Sequence, residues 1–122
     1  MPVRSLNSAT FKWPDKQNVM NEAKLWAKSL GSRDKNIVKI FCFGSICKGT
    51  WGMGSDLDIA VILDRTKVPF ISRACLYDTS AISVPTDILV YTQSEIKVFA
   101  FEKRRFLAEI EKNGILLYVK NT

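Results

Sequence analysis

The 122-residue sequence predicts an α/β (α+β) fold, a small mixed β-sheet with covering helices. Three observations carry that prediction. Two stretches repeat apolar residues at three- and four-residue steps, the period of a helix with one buried face. Three short runs rich in β-branched and aromatic residues lie between them, the composition of strands. The two patterns alternate along the chain, as they do where helices cover a sheet.

Residues 1–15, ending in Trp13-Pro14-Asp15, show no period and read as an irregular N-terminal arm; 16–122 read as a single domain. From Lys16 a helix is expected, with Asp15 as N-cap and Gly31 as C-cap. Its apolar face is Val19, Met20, Ala23, Trp26, Ala27 and Leu30. Ile37–Phe43 (IVKIFCF) and Asp56–Leu63 (DLDIAVIL) read as strands, separated by a polar turn and a glycine-rich loop at Gly49–Gly54. Val68, Ile71, Cys75 and Leu76 fit one face of a short helix, with Pro69 in its first turn. After a connection at Asp78–Val84, Thr86–Tyr91 (TDILVY) reads as a third strand. Thr92-Gln93-Ser94-Glu95 is a capping box opening a helix. Ile96, Phe99, Phe106, Leu107 and Ile110 line its apolar face and Gly114 stops it, leaving Ile115–Val119 for a final short strand.

Composition excludes several chemistries. Histidine is absent, so Ser-His-Asp and Cys-His triads and histidine metal sites are ruled out. The cysteines, Cys42, Cys47 and Cys75, are odd in number and lack a CxxC spacing. They read as reduced, Cys42 and Cys75 as small hydrophobes, which points to a cytoplasmic setting. Apolar runs such as Ile59–Leu63 are far shorter than the ~20 residues a membrane helix needs, and no apolar signal segment opens the chain. Eighteen basic against twelve acidic residues give a net charge of +6, which favours polyanionic partners or simply a solvated basic surface.

Three features point to a reaction. Gly44-Ser45 directly follows a strand and opens a helical turn, whose backbone N–H groups suit a phosphate. Lys48, three residues on, adds a positive charge on the same side. Asp56 and Asp58, two apart, share one face of their strand, with Leu57, Ile59, Val61 and Leu63 on the other. Paired carboxylates repel, and Mg²⁺, a hard cation that takes carboxylates and substrate phosphates, removes that cost. Asp87 heads the next strand and joins the pair if the strands are neighbours. Three carboxylates could then hold two metal ions ~3.5–4 Å apart, as in nucleotidyl transfer. Each feature is also compatible with a bland role: a strand-ending turn, a solvated pair, a turn residue.

Together, Gly44-Ser45-x-x-Lys48-Gly49-x6-Asp56-x-Asp58 and Asp87 resemble the signature of the DNA polymerase β-like nucleotidyltransferase superfamily. Within it, the chain looks like a minimal nucleotidyltransferase of the MNT type, related to the N-terminal domain of kanamycin nucleotidyltransferase. The resemblance spans residues 37–91 by motif. It implies that Gly44 and Ser45 bind the triphosphate, that Asp56 and Asp58 hold two Mg²⁺ ions, and that Asp87 binds the catalytic metal and helps deprotonate the attacking hydroxyl. Lys48 stands where the family most often has arginine, keeping the charge without the fork. The implied activity is Mg²⁺-dependent transfer of a nucleoside monophosphate, AMP from ATP, to a hydroxyl acceptor. Minimal members are often encoded beside a helical HEPN protein as toxin–antitoxin pairs, with the nucleotidyltransferase as antitoxin.

Two readings from other classes stand beside it. One is a non-catalytic protein that keeps the fold and neutralises a partner by binding. The other is a basic nucleic-acid-binding module, although Phe41, Phe43 and Phe99 fall at core spacing and not as a stacking platform. Trp51, in the glycine-rich loop, is either a base-stacking residue or a loop anchor. A DxD motif also occurs in glycosyltransferases, whose usual folds are too large for this chain. A small apolar-rich domain could also pair with itself.

Overall fold

The structure, a computed structural model, describes residues 13–102, 108, 110 and 112–121. The first helix, α1, spans Lys16–Arg33, and Oδ1 of Asp15 accepts the Asn18 N–H at 2.8 Å as the expected N-cap. Its buried residues are Val19, Met20, Ala23, Trp26, Ala27 and Gly31. Gly31 is therefore not the C-cap. The helix runs one turn fraction further to Asp34, whose N–H reaches the Leu30 carbonyl. Gly31 serves packing instead: a Cβ there would collide with the Tyr118 ring.

Asn36 then starts the sheet. Its side chain accepts from the Arg65 N–H and donates to the Arg65 carbonyl, pinning the start of β1 (Ile37–Phe43) to the end of β2 (Leu57–Leu63). With β3 (Thr86–Thr92) and β4 (Ile115–Val119) these form a four-stranded sheet of order β3-β2-β1-β4. β1 is antiparallel to both β2 and β4, while β2 and β3 are parallel. Alternation sorts the side chains onto two faces. Ile40 and Cys42 of β1 and Leu57, Ile59, Val61 and Leu63 of β2 join the α1 residues in one core.

The other face carries Phe41, Ala60, Ile62 and Tyr91, which line a cavity of about 500 Å³ together with Ile96 and Lys97 of α4 (Gln93–Glu102). The capping box forms as expected: Thr92 N–H donates to Glu95 Oε1 at 2.9 Å, and Glu95 N–H to Thr92 Oγ1 at 3.1 Å. Beyond Glu102, helical backbone is described at 108, 110 and 112–113, before Gly114. The residues Phe106 and Leu107 of the expected apolar face lie outside the described residues, as does 1–12 of the expected arm; no side chain is described for Phe99.

The short helix departs from its expected face. α3 (Phe70–Arg73) has Pro69 as N-cap and passes into a 3₁₀ turn at Ala74–Leu76. Ile71, Cys75 and Leu76 are exposed, and Arg73 is buried. The guanidinium fork explains the inversion. It donates to the carbonyls of Val68 and Val90, makes a bidentate pair with Glu95, and sits over the Phe70 ring. Those bonds, which offset its desolvation, fix which side of the helix faces inward. No helix among the described residues is long and apolar enough to cross a membrane.

Candidate active site

The strand ends bring the expected residues together. Phe43, the last residue of β1, pairs with Asp58 of β2, and Asp58 pairs with Asp87 of β3. The β2–β3 register runs without a shift from Leu57↔Thr86 to Leu63↔Thr92. Asp58 and Asp87 are thus direct neighbours on one face, with backbones about 4.8 Å apart. Asp56 precedes β2 on the loop. The Leu57 N–H bonds the Pro85 carbonyl at 2.9 Å, which ties the two strand starts to one another beside the acids.

Asp58 is half-buried, and Asp56 and Asp87 are exposed. Burial pushes the Asp58 carboxyl above the usual carboxylate range, and the charges of Asp87 and then Asp56 push the same way. Burial and the neighbouring carboxylates thus both work against a charged Asp58. Among the described residues, no three acidic or cysteine side chains are already drawn in to ligate one ion.

The turn follows at once. α2 is a single helical turn, Ser45–Lys48, with Gly44 as N-cap at φ 80°, ψ −149°, and Gly49 as C-cap at φ 76°. Both conformations favour glycine. Gly44 is doubly constrained, because a Cβ on it would strike Oδ2 of Asp58. The turn is so short that the Ser45 and Ile46 N–H groups, at its start, have no carbonyl partner within it. Ile46 is fully buried and anchors the turn, while Lys48 projects at the exposed end.

A cavity of about 500 Å³ lies beside the acids, lined by Phe43, Asp58, Ala74, Thr86, Asp87, Ile88 and Leu89. The sequence placed Phe43 at core spacing, and only its register with Asp58 makes it a wall residue. Ala74 was not legible, because its place depends on the 3₁₀ turn packing against β3. Trp51 is a loop anchor: its Nε1–H donates to the Pro14 carbonyl at 3.1 Å, and it packs on the core.

Comparison with known proteins agrees with this layout. The family model for polymerase beta nucleotidyltransferases matches residues 27–122. A crystal structure described as a candidate nucleotidyltransferase from Sulfolobus solfataricus is similar in fold, with a TM-score of 0.61 and 19% identity over 86% of this chain and 84% of that one. A toxin–antitoxin structure with AMP-PNP is similar at a TM-score of 0.55 and 25% identity, over 83% of this chain and 75% of that one. No curated protein matches the chain. With residues 27–122 matched by its model, the chain belongs to the polymerase beta nucleotidyltransferase family.

Proposed function

We propose that this protein is a metal-dependent nucleotidyltransferase that moves AMP from ATP to a hydroxyl acceptor. The observation that carries the reading is the Asp58–Asp87 register pair, with Asp56 beside it and Gly44 against it. Three carboxylates form an all-oxygen donor set of the kind hard divalent cations take. The Asp58 carboxyl is raised by burial first and by the charges of Asp87 and Asp56 next, and a bound cation would favour its ionised form. Asp56, Asp58 and Asp87 would hold Mg²⁺, in two ions; bound there, Mg²⁺ neutralises phosphate charge and polarises the α-phosphate.

The chain's own residues supply position. Gly44 and Ser45 present backbone N–H groups to the triphosphate, and Lys48 adds charge to its tail. Asp87 accepts the proton of the attacking hydroxyl as it closes on the α-phosphorus and pyrophosphate leaves. No histidine takes part, in keeping with the composition.

We further infer a protein partner in the cytoplasm, a helical HEPN-type toxin for which this chain is the antitoxin. The toxin–antitoxin neighbour crystallised with AMP-PNP supports that context. Non-catalytic neutralisation by binding is the second reading, favoured by the exposed apolar side chains Phe70, Ile71 and Leu76 on α3 and the 3₁₀ turn after it.

A thermal melt separates them. Mg²⁺ with ATP should raise Tm by mass action, and EDTA or the Asp56→Asn/Asp58→Asn double variant should abolish the rise. Mass spectrometry of the partner after incubation should show an added AMP. A partner neutralised equally by the double variant, with no adduct, overturns the catalytic reading.

A further inference from the structure

Behind the phosphate-binding turn, on the α1 side of the sheet, three sulfur atoms meet. Cys42 Sγ lies 3.8 Å from Cys47 Sγ and 4.0 Å from Met20 Sδ. Each comes from a different element: Met20 from α1, Cys42 from β1 and Cys47 from α2. Cys42 is fully buried and Met20 nearly so, whereas Cys47 is half-buried and leaves a way in from solvent.

We propose that Met20, Cys42 and Cys47 form a three-sulfur site for one thiophilic cation of the Cu(I) type. Thiolate and thioether ligands together select soft metals. Metal–sulfur bonds of about 2.3 Å place the sulfurs of a planar three-coordinate site about 4.0 Å apart. Cys42 Sγ already stands at about that spacing from each of the other two sulfurs.

A disulfide fits less well. Its sulfurs bond at about 2.05 Å, so the pair, now 3.8 Å apart, would have to close up with Cys42 moving against the packed core. Cys42 is also fully buried, which keeps its S–H proton away from oxidants in solution. A soft cation displaces that proton directly. Balance is simple: one Cu(I) enters, two S–H bonds break, two Cu–S thiolate bonds form with a thioether contact, and two protons leave. No oxidant is consumed.

The test uses the full chain as Cys75→Ser, which removes the exposed third thiol. Reduced protein without oxygen is titrated with Cu(I) delivered by a bathocuproine disulfonate complex. One equivalent should transfer, with release of two protons. Cys47→Ser should abolish transfer, and Met20→Leu, which nearly conserves volume, should weaken it by about tenfold with the melting transition retained. Failure to take Cu(I) from the chelator overturns the site. Uptake unchanged by Met20→Leu also overturns it, since that is adventitious binding by thiols alone.

Discussion

The α-carbon of Gly44 lies against the carboxylate of Asp58, so closely that any Cβ at position 44 would collide with Oδ2. The turn proposed to take phosphate and the acid proposed to take metal are therefore close neighbours. Gly44 also holds φ 80°, a conformation other residues adopt at a cost of about 1–3 kcal/mol. Gly44→Ala should therefore lower stability by about 2 kcal/mol and remove the Mg-ATP rise in Tm. Gly52→Ala is the control. Nothing lies within 4 Å of its Cβ position and its φ is not positive, so its melt should be unchanged.

Asp58 and Asp87 oppose each other in register, with both charges on one face. Like charges so placed destabilise a sheet by about 0.5 kcal/mol. Asp58→Asn should raise the Tm of the ligand-free protein by about 2 °C while abolishing its response to Mg-ATP. A drop in Tm would show that Asp58 is structural, not a site residue held at a cost.

Arg73 and Glu95 set a dependence on acid. The hydrogen bonds from Arg73, foremost, hold the Glu95 carboxyl below its usual 4.5. A depressed folded pKa contributes stability that is complete above the unfolded value and is lost as pH falls through the folded one. Urea melts should thus weaken from about pH 5 downward. Glu95→Gln should flatten that limb. It should also cost about 2 kcal/mol at pH 7, because the buried guanidinium loses its charged partner and the third-exposed carboxylate screens only part of the effect.

Gly31 touches the Tyr118 ring, whose hydroxyl donates to the Gly31 carbonyl at 3.2 Å. Alanine is the better helix former by about 1 kcal/mol, yet overpacking costs about 1–3 kcal/mol. Gly31→Ala should destabilise the wild type and stabilise a Tyr118→Val background. Chemical denaturation of the four proteins of that cycle measures the coupling. A Gly31→Ala change that stabilises both backgrounds would show that the ring moves aside freely.

Local chemistry made most of the elements legible. Asp15 caps α1, the Thr92–Glu95 box opens α4, and β-branched runs became β1, β2 and β3, because each signal acts over a few bonds. Asp58 lies on its strand as expected, but Asp56 sits on the loop before β2, so strand alternation does not fix its direction. Gly31 was misread because a glycine near a helix end usually ends it, and only the Tyr118 ring, 87 residues on, explains it. The face of α3 was misread because hydrophobic spacing says nothing of a buried arginine whose partner lies on another helix.

The linear chain alone settled which groups exist and, for α1 and the strands, which side each one takes, since backbone geometry repeats every two or 3.6 residues. Which strands lie side by side was a matter of long-range pairing. The parallel β2–β3 ladder put Asp87 next to Asp58, and the same folded core drew Met20, Cys42 and Cys47 together from three elements. Such contacts depend on the packing free energy of the whole sheet, which no local window contains.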